Sequence, residues 1–363
     1  MGRCKRLRSF VIFIIVGFLL VFAKYMAEEM KKIRLQIKWL ENVMVTEKNW
    51  ILENQGTQGE IYMNGQEAGN VDPYFSCMAA IGLLSKTRDI PVSQKEYIAV
   101  RRYLDWHTKE LLKTEGRMGI YQKTEKGIVR VGKADSEDGY LGVYLELLGR
   151  YLQETGYADQ LENWEEGAAL AVERIRFLMK DGTTQVSPEN PTVYLMDNLD
   201  VWKGLYEFEK SGFAADLPVS RLRSCMEEKI QDVFWNEETH MWRINKENNN
   251  YDNRQFYPDG VAQIYPLIRD FPVTKEQKKS YGEFTEEFRW QELNKYRDGF
   301  AWTMTGMAAA AAQDAPNLEK MLKNYESTYR YERDYPLYTG EAGWVCLECE
   351  SLYQMVANRW KFL

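Results

Sequence analysis

The stretch Asn70-Val71-Asp72-Pro73-Tyr74-Phe75, running straight into Met78-Ala79-Ala80-Ile81-Gly82-Leu83-Leu84, decides how this chain is read. An acid and two rings stand where a helix begins, and the helix that follows is small and apolar on every side. Such a helix is buried, because it has no face suited to water. The same pattern opens five further segments: Asp135-Ser-Glu-Asp138-Gly-Tyr140, Tyr194-Leu-Met-Asp197-Asn-Leu-Asp200-Val-Trp202, Phe256-Tyr257-Pro-Asp259-Gly260, Tyr296-Arg-Asp298-Gly-Phe300-Ala-Trp302 and Tyr338-Thr-Gly-Glu341-Ala-Gly-Trp344. The run Thr305 to Ala312 after the fifth cluster is as small and apolar as the first.

Between these dry segments lie wet ones, such as Lys275-Glu-Gln-Lys-Lys and Asn317-Leu-Glu-Lys, whose charges mark a solvent face. Apolar spacing and the Gly, Pro and Asn/Asp breaks predict helices near 27–53, 74–86, 93–114, 138–155, 159–180, 194–211, 218–233, 258–269, 275–293, 299–313, 316–331 and 341–358. Pro is scarce and alternating β-branched runs are almost absent, so the class is all-α. Six alternations of wet and dry helices predict six hairpins in a ring, an (α/α)6 toroid with an inner and an outer layer. All inner helices then run in one direction, and their acidic and aromatic starts meet at one mouth. An acid at a helix start also has a bland explanation, since Asp is a preferred cap and the dipole favours it by roughly 0.3–1 kcal/mol. Capping does not explain the ring beside each acid, because aromatic side chains are poor caps.

Composition narrows the ligand. With 11 Trp and 23 Tyr the chain carries many flat, polar-edged rings, which suit a groove that stacks sugars or bases. A net charge of −7, with no basic cluster beyond the N-terminus, argues against nucleic acid. No metal or other cofactor is called for. Cys346 and Cys349 form a C-x-x-C inside an apolar helical run without a second pair, and read as buried small residues. His107 and His240, flanked by charges, read as surface residues, which weakens proton-shuttling epimerase or lyase chemistry.

The N-terminus reads as a targeting element. Arg3, Lys5, Arg6 and Arg8 precede an apolar run from Phe10 to Ala23, closed by Lys24. We expect residues 1–24 to be a signal anchor or signal peptide, 25–45 a membrane-proximal helical lead-in, and 46–363 the barrel domain. The expected location is the cell membrane, single-pass with the C-terminal domain extracellular, or alternatively secreted.

The pieces Ile51-Leu-Glu-Asn-Gln with Gly59-Glu-Ile, Asp72-Pro-Tyr-Phe, Asp135-Ser-Glu-Asp-Gly-Tyr, Asp197-Asn-Leu-Asp-Val-Trp-Lys-Gly and Tyr257-Pro-Asp-Gly-Val-Ala-Gln resemble six-hairpin (α/α)6 glycosidases, including bacterial members distantly similar to family 8 endoglucanases. The resemblance implies a proton-donating acid at the first inner helix, a sugar-orienting Asp at the second and a base near the fourth. Carried over by position these are Asp72, Asp138 and Asp259. Asp72 departs from the family's Glu-Gly pattern, which leaves Glu60 as a competing donor. Inverting hydrolysis requires one protonated and one ionised carboxyl. Asp135 and Asp138, three residues apart, are expected to repel and raise one pKa. Candidate sugar contacts are Tyr74, Asp135, Tyr140, Tyr194, Asp197, Asp200, Trp202, Tyr257, Trp302, Glu341 and Trp344. The sequence therefore points to an inverting glycoside hydrolase of poly- or oligosaccharides, with a ring of acids at the mouth to supply the acid and the base. The alternatives are a non-catalytic, membrane-tethered carbohydrate-binding or polysaccharide-export accessory protein, and a scaffold without a ligand.

Overall fold

The computed structural model describes residues 2–65, 68–156, 160–214, 216–247, 255–293, 299–333 and 335–360, with side chains from residue 15 to 358. Twelve α-helices are present among them: α1 Gly2–Glu53, α2 Pro73–Leu83, α3 Gln94–Lys113, α4 Glu137–Thr155, α5 Trp164–Leu178, α6 Leu195–Lys210, α7 Val219–Phe234, α8 Val261–Ile268, α9 Lys279–Glu287, α10 Thr305–Ala311, α11 Ala315–Tyr329 and α12 Thr339–Trp360. The even helices contact one another in the cyclic order α2, α4, α6, α8, α10, α12 and back to α2, and the odd helices pack outside them. The all-α toroid expected from the alternation is present.

Local chemistry sets the helix starts. Asp72 accepts from the Tyr74 amide and Pro73 occupies the first turn of α2, where a missing N–H costs nothing. Ser93 and Glu96 close a capping box on α3. Small residues then let the inner helices touch backbone to backbone. A Cβ on Gly204 would stand 2.1 Å from the Gly142 carbonyl oxygen, and one on Gly343 would stand 2.1 Å from that of Met78. Those approaches hold α4 against α6 and α2 against α12, and no larger side chain fits them.

Several helices are shorter than expected, α9 and α10 most of all. Residues 299–304 form an irregular approach to α10, with Trp302 at φ 60°, and α9 starts four residues late after a turn. Short antiparallel strands decorate the loops: β1 Asn70–Val71, β2 Tyr121–Thr124 and β3 Gly127–Arg130 form one small sheet in that order. Hairpins β4 Met179–Lys180 with β5 Thr183–Thr184, and β6 Trp235–Asn236 with β7 Met241–Trp242, are the others.

The membrane anchor is overturned. Among the described residues no helix is long and apolar enough to cross a membrane. The apolar run from Phe10 to Ala23 rises about 21 Å, against the roughly 30 Å of a bilayer's hydrocarbon core. It is instead part of α1, a 52-residue helix that stays continuous through Lys24. Farther along, Ile33, Ile37, Leu40, Val43, Met44 and Ile51 of the same helix are buried in the barrel's core. The single-pass topology, the membrane as a partner and the cell-membrane location expected above are withdrawn with the anchor.

His107 corrects a second expectation. It is fully buried, with Nδ1 3.1 Å from the Tyr103 hydroxyl and its ring stacked 4.8 Å from that of Tyr144. Burial pushes its pKa down to about 3, so it is a neutral core histidine. The charged neighbours Lys109 and Glu110 misled, because α3 turns a different face outward at those positions. His240 is exposed as expected. Cys346 and Cys349 are buried in α12.

Candidate active site

The starts of all six inner helices, or the loops leading into them, contribute to one cleft at the mouth of the toroid. Its wall is formed by Asp72, Tyr74, Phe75, Asp135, Ser136, Gly139, Tyr140, Met196, Asp197, Asp200, Tyr257, Tyr265, Phe300, Trp302, Met304, Glu341 and Trp344, around about 800 Å³ of empty space that includes its opening. Ten of the residues singled out from sequence meet here: Asp72, Tyr74, Asp135, Tyr140, Asp197, Asp200, Tyr257, Trp302, Glu341 and Trp344.

Asp72 is partly buried, and its Oδ1 accepts from the Tyr74 amide at 2.9 Å and from the Tyr140 hydroxyl at 2.8 Å. Burial pushes its carboxyl up to about 6, with the Tyr140 hydroxyl and the Tyr74 and Phe75 amides resisting the rise and Asp135 adding to it. Asp135, on the loop before α4, lines the same cleft and is exposed. Burial pushes Asp197 well above its ordinary value, reinforced by Asp138 and Asp200.

The floor is a buried charge ladder. Asp200 accepts from the Tyr265 hydroxyl at 2.9 Å and from the Tyr74 hydroxyl at 3.0 Å, and Arg269 Nε lies 2.9 Å from it. Arg269 also pairs with Glu146, Glu146 with Arg150 at 3.0 Å, and Glu207 with Lys203 at 3.1 Å. Burial raises Asp200 to about 6 even with Arg269 opposing it. Each charge in this ladder has a partner of opposite sign, which is what allows it to be buried.

Trp302 forms one aromatic wall. Its ring lies 4.8 Å from Tyr257, 5.2 Å from Phe300 and 5.3 Å from Phe256. The backbone there is held by Glu341, which accepts from the Thr303 amide at 2.8 Å and contacts the Thr303 hydroxyl. Glu341 thus spends its carboxylate on the loop that carries Trp302. Opposite, the Arg269 guanidinium lies 5.7 Å from the centre of the Trp344 ring.

Five expected residues fall elsewhere. Asp138 is fully buried and accepts from the Ser136 hydroxyl at 2.7 Å, the Gly139 amide at 3.0 Å and the Thr184 hydroxyl at 2.7 Å, so both oxygens serve to lock β5 onto the start of α4. Burial raises it to about 6; the repulsion anticipated with Asp135 is not among its leading causes. Asp259 is buried in a π-type turn, Phe256–Gly260, that presents Tyr257 to the cleft in its place. Glu60 is buried in a separate pocket beside Arg102 and Lys123, bonded to the Tyr62 hydroxyl at 2.8 Å and the Gln58 amide at 3.0 Å. Trp202 stacks on Tyr206 between α6 and α7 and donates to Glu227 at 3.2 Å. Tyr194 is half-buried and bridges to Asn245. Tyr296 and Asp298 lie outside the described residues.

Tyr265, Arg269, Ser136, Met196 and Met304 belong to the cleft or its floor and carried no separate signal. Tyr265 and Arg269 sit four apart on one face of α8, but the run Ile264-Tyr-Pro-Leu-Ile-Arg reads as ordinary core.

No family model matches the chain, and no curated protein matches its sequence. Solved structures do match in fold. A glycosidase in complex with glucose is 12% identical, with 90% of this chain and 98% of that chain covered and a TM-score of 0.57. The GH76A alpha-1,6-mannanase from a Salegentibacter species is 11% identical, with 88% and 99% covered and a TM-score of 0.60. The glucoamylase from Saccharomycopsis fibuligera is 13% identical, with 88% and 86% covered and a TM-score of 0.51. The chain therefore has a glycosidase-like (α/α)6 fold.

Proposed function

We propose that the chain is a glycoside hydrolase that cuts a poly- or oligosaccharide with inversion, the scissile bond lying between Asp72 and Asp135. The observation that carries this reading is a carboxyl raised to about 6 and an exposed one that line the same aromatic-walled cleft. Asp72 gives its proton to the glycosidic oxygen as that oxygen leaves the anomeric carbon. Asp135 takes a proton from a water that attacks the same carbon from the opposite face. The products are an alcohol and a hemiacetal of inverted configuration. This assignment requires the two carboxyls to lie about 6.5–9.5 Å apart, leaving room for the water. Asp197 holds a sugar hydroxyl above the floor that Asp200, Tyr265 and Arg269 form, while Tyr257, Trp302 and Trp344 cover the apolar face of the ring. The glycosidase, mannanase and glucoamylase that share the fold support the reaction class. The resemblance to family 8 enzymes bears on this reading through Asp72 alone, since Asp138 and Asp259 are enclosed.

The test is reducing-end release from alpha-1,6-mannan, starch-type glucans and β-glucans by the wild type and by Asp72→Asn and Asp135→Asn. A general acid or base contributes about 10²–10⁴-fold, so each variant should lose at least a hundredfold. Release that persists within tenfold in both variants would remove this pair from the mechanism.

One observation favours a second reading, a non-catalytic carbohydrate-binding protein. Asp72 caps its own helix, as an acid in a purely binding mouth would. That reading predicts glycan binding with no release, unchanged in both variants.

A further inference from the structure

Outside the cleft proper, rings continue in an unbroken series toward the rim. Phe300, which touches Trp302, stacks on Phe75 at 5.7 Å with 23° between their planes. Phe75 lies 5.2 Å from Tyr338, and Tyr338 lies 6.1 Å from Tyr335. Phe75 and Phe300 still line the cleft, whereas Tyr335 is 64% exposed. A Cβ on Gly299, at the head of the loop that carries Phe300, would lie 4.0 Å from the Tyr335 hydroxyl, so this ring stands directly over that loop.

The contacts of this series carry the aromatic wall of the cleft out to Tyr335, and a flat ring with a polar edge suits the face of a sugar. A glycan chain leaving the cleft along this wall meets Phe300 and Phe75 and then Tyr335. We propose that Tyr335 is a distal stacking platform for a sugar beyond the cleft, and that the protein therefore selects oligosaccharides over single glycosides. This rests on the cleft being a glycan site and goes beyond it by fixing where the chain extends. Tyr335 touches the sugar remote from the bond that breaks, so it governs recognition of length and takes no part in proton transfer.

The experiment titrates cello-, manno- and xylo-oligosaccharides of one to six units against the full chain, read by intrinsic tryptophan fluorescence, since Trp302 and Trp344 line the cleft. Variants are Tyr335→Ala, Tyr335→Phe and, as a control, Tyr331→Ala, an 86% exposed tyrosine beside Arg330 that lies off this aromatic series. In the wild type, affinity for a ladder that binds should rise with chain length. Tyr335→Ala should lose about threefold to tenfold on the longer members, the scale of one aromatic contact, and nothing on the monomer. Tyr335→Phe and Tyr331→Ala should bind as the wild type does. Equal gains with length in Tyr335→Ala and the wild type, or no gain in either, would overturn the platform while leaving the cleft intact. No binding at any length, together with no reducing-end release, would overturn the cleft itself and the platform with it.

Discussion

Replacing Tyr140 with Phe should move the alkaline limb of the pH–rate profile upward. The Tyr140 hydroxyl donates to Asp72 Oδ1 at 2.8 Å, and that bond favours the ionised carboxyl over the acid. A hydrogen bond to a charged group is worth about 1.5–3 kcal/mol, and one pKa unit is about 1.36 kcal/mol, so its loss is worth roughly one to two units. Asp72 is partly open to water, which replaces some of the lost bond, so the lower end applies. Its carboxyl, at about 6 in the wild type, should rise to about 7 in the variant. Catalysis that needs Asp72 protonated then persists about one pH unit further into the alkaline range. Initial rates below KM from pH 4 to 9 measure this through kcat/KM. Tyr140 is buried and Phe keeps its ring, so the thermal midpoint serves as the control for folding. An alkaline limb that stays in place, or moves to lower pH, would refute Asp72 as the proton donor tuned by Tyr140.

The raised carboxyls should make the protein more stable at pH 5 than at pH 7. Asp72, Asp138 and Asp200 stand at about 6, and Asp197 is likewise raised well above its ordinary value, against about 3.9 in an unfolded chain, so between those values the folded state binds more protons. Their stabilisation is complete below about pH 4 and is lost as pH rises through about 6. Burial alone would raise Glu207, but Arg150 and Lys203 hold it at about 2, so its contribution fails only in stronger acid. A thermal midpoint that is flat or rising from pH 5 to pH 7 would contradict this. Arg269→Met strips the cation from two buried carboxylates, Glu146 and Asp200, and should cost about 3–5 kcal/mol in urea unfolding. Adding Glu146→Gln and Asp200→Asn should recover most of that loss; a single variant losing under about 1 kcal/mol would mean the ladder is not holding the floor together.

The order of helices was legible because its signals are local. Runs such as Met78 to Leu84 report burial by composition alone, and Asp72-Pro73 or Ser93 with Glu96 mark helix starts by chemistry within four residues. The reading failed where a local signal had two outcomes. Residues 299–304 continue an apolar helical pattern, yet Glu341, about forty residues downstream, holds that backbone in a loop with Trp302 in the left-handed region. The N-terminal apolar run looks like an anchor by charge and composition, but its length falls short of a bilayer and the helix simply continues.

The sequence by itself determined that acids and rings would gather at one mouth, because a ring of hairpins aligns every inner helix and a cluster at each start has nowhere else to go. Only the tertiary structure decided which acid of each cluster faces the cleft. Asp135 precedes α4 on its loop and reaches the opening, while Asp138 in the first turn of that helix is drawn into the wall by Ser136 and Thr184, and the non-helical backbone at Tyr257 puts that ring in the place expected of Asp259. Whether a carboxylate is free to act also depends on donors that sequence distance hides: Thr184 occupies Asp138, Thr303 occupies Glu341, and Arg269 holds Asp200 from the far end of another helix.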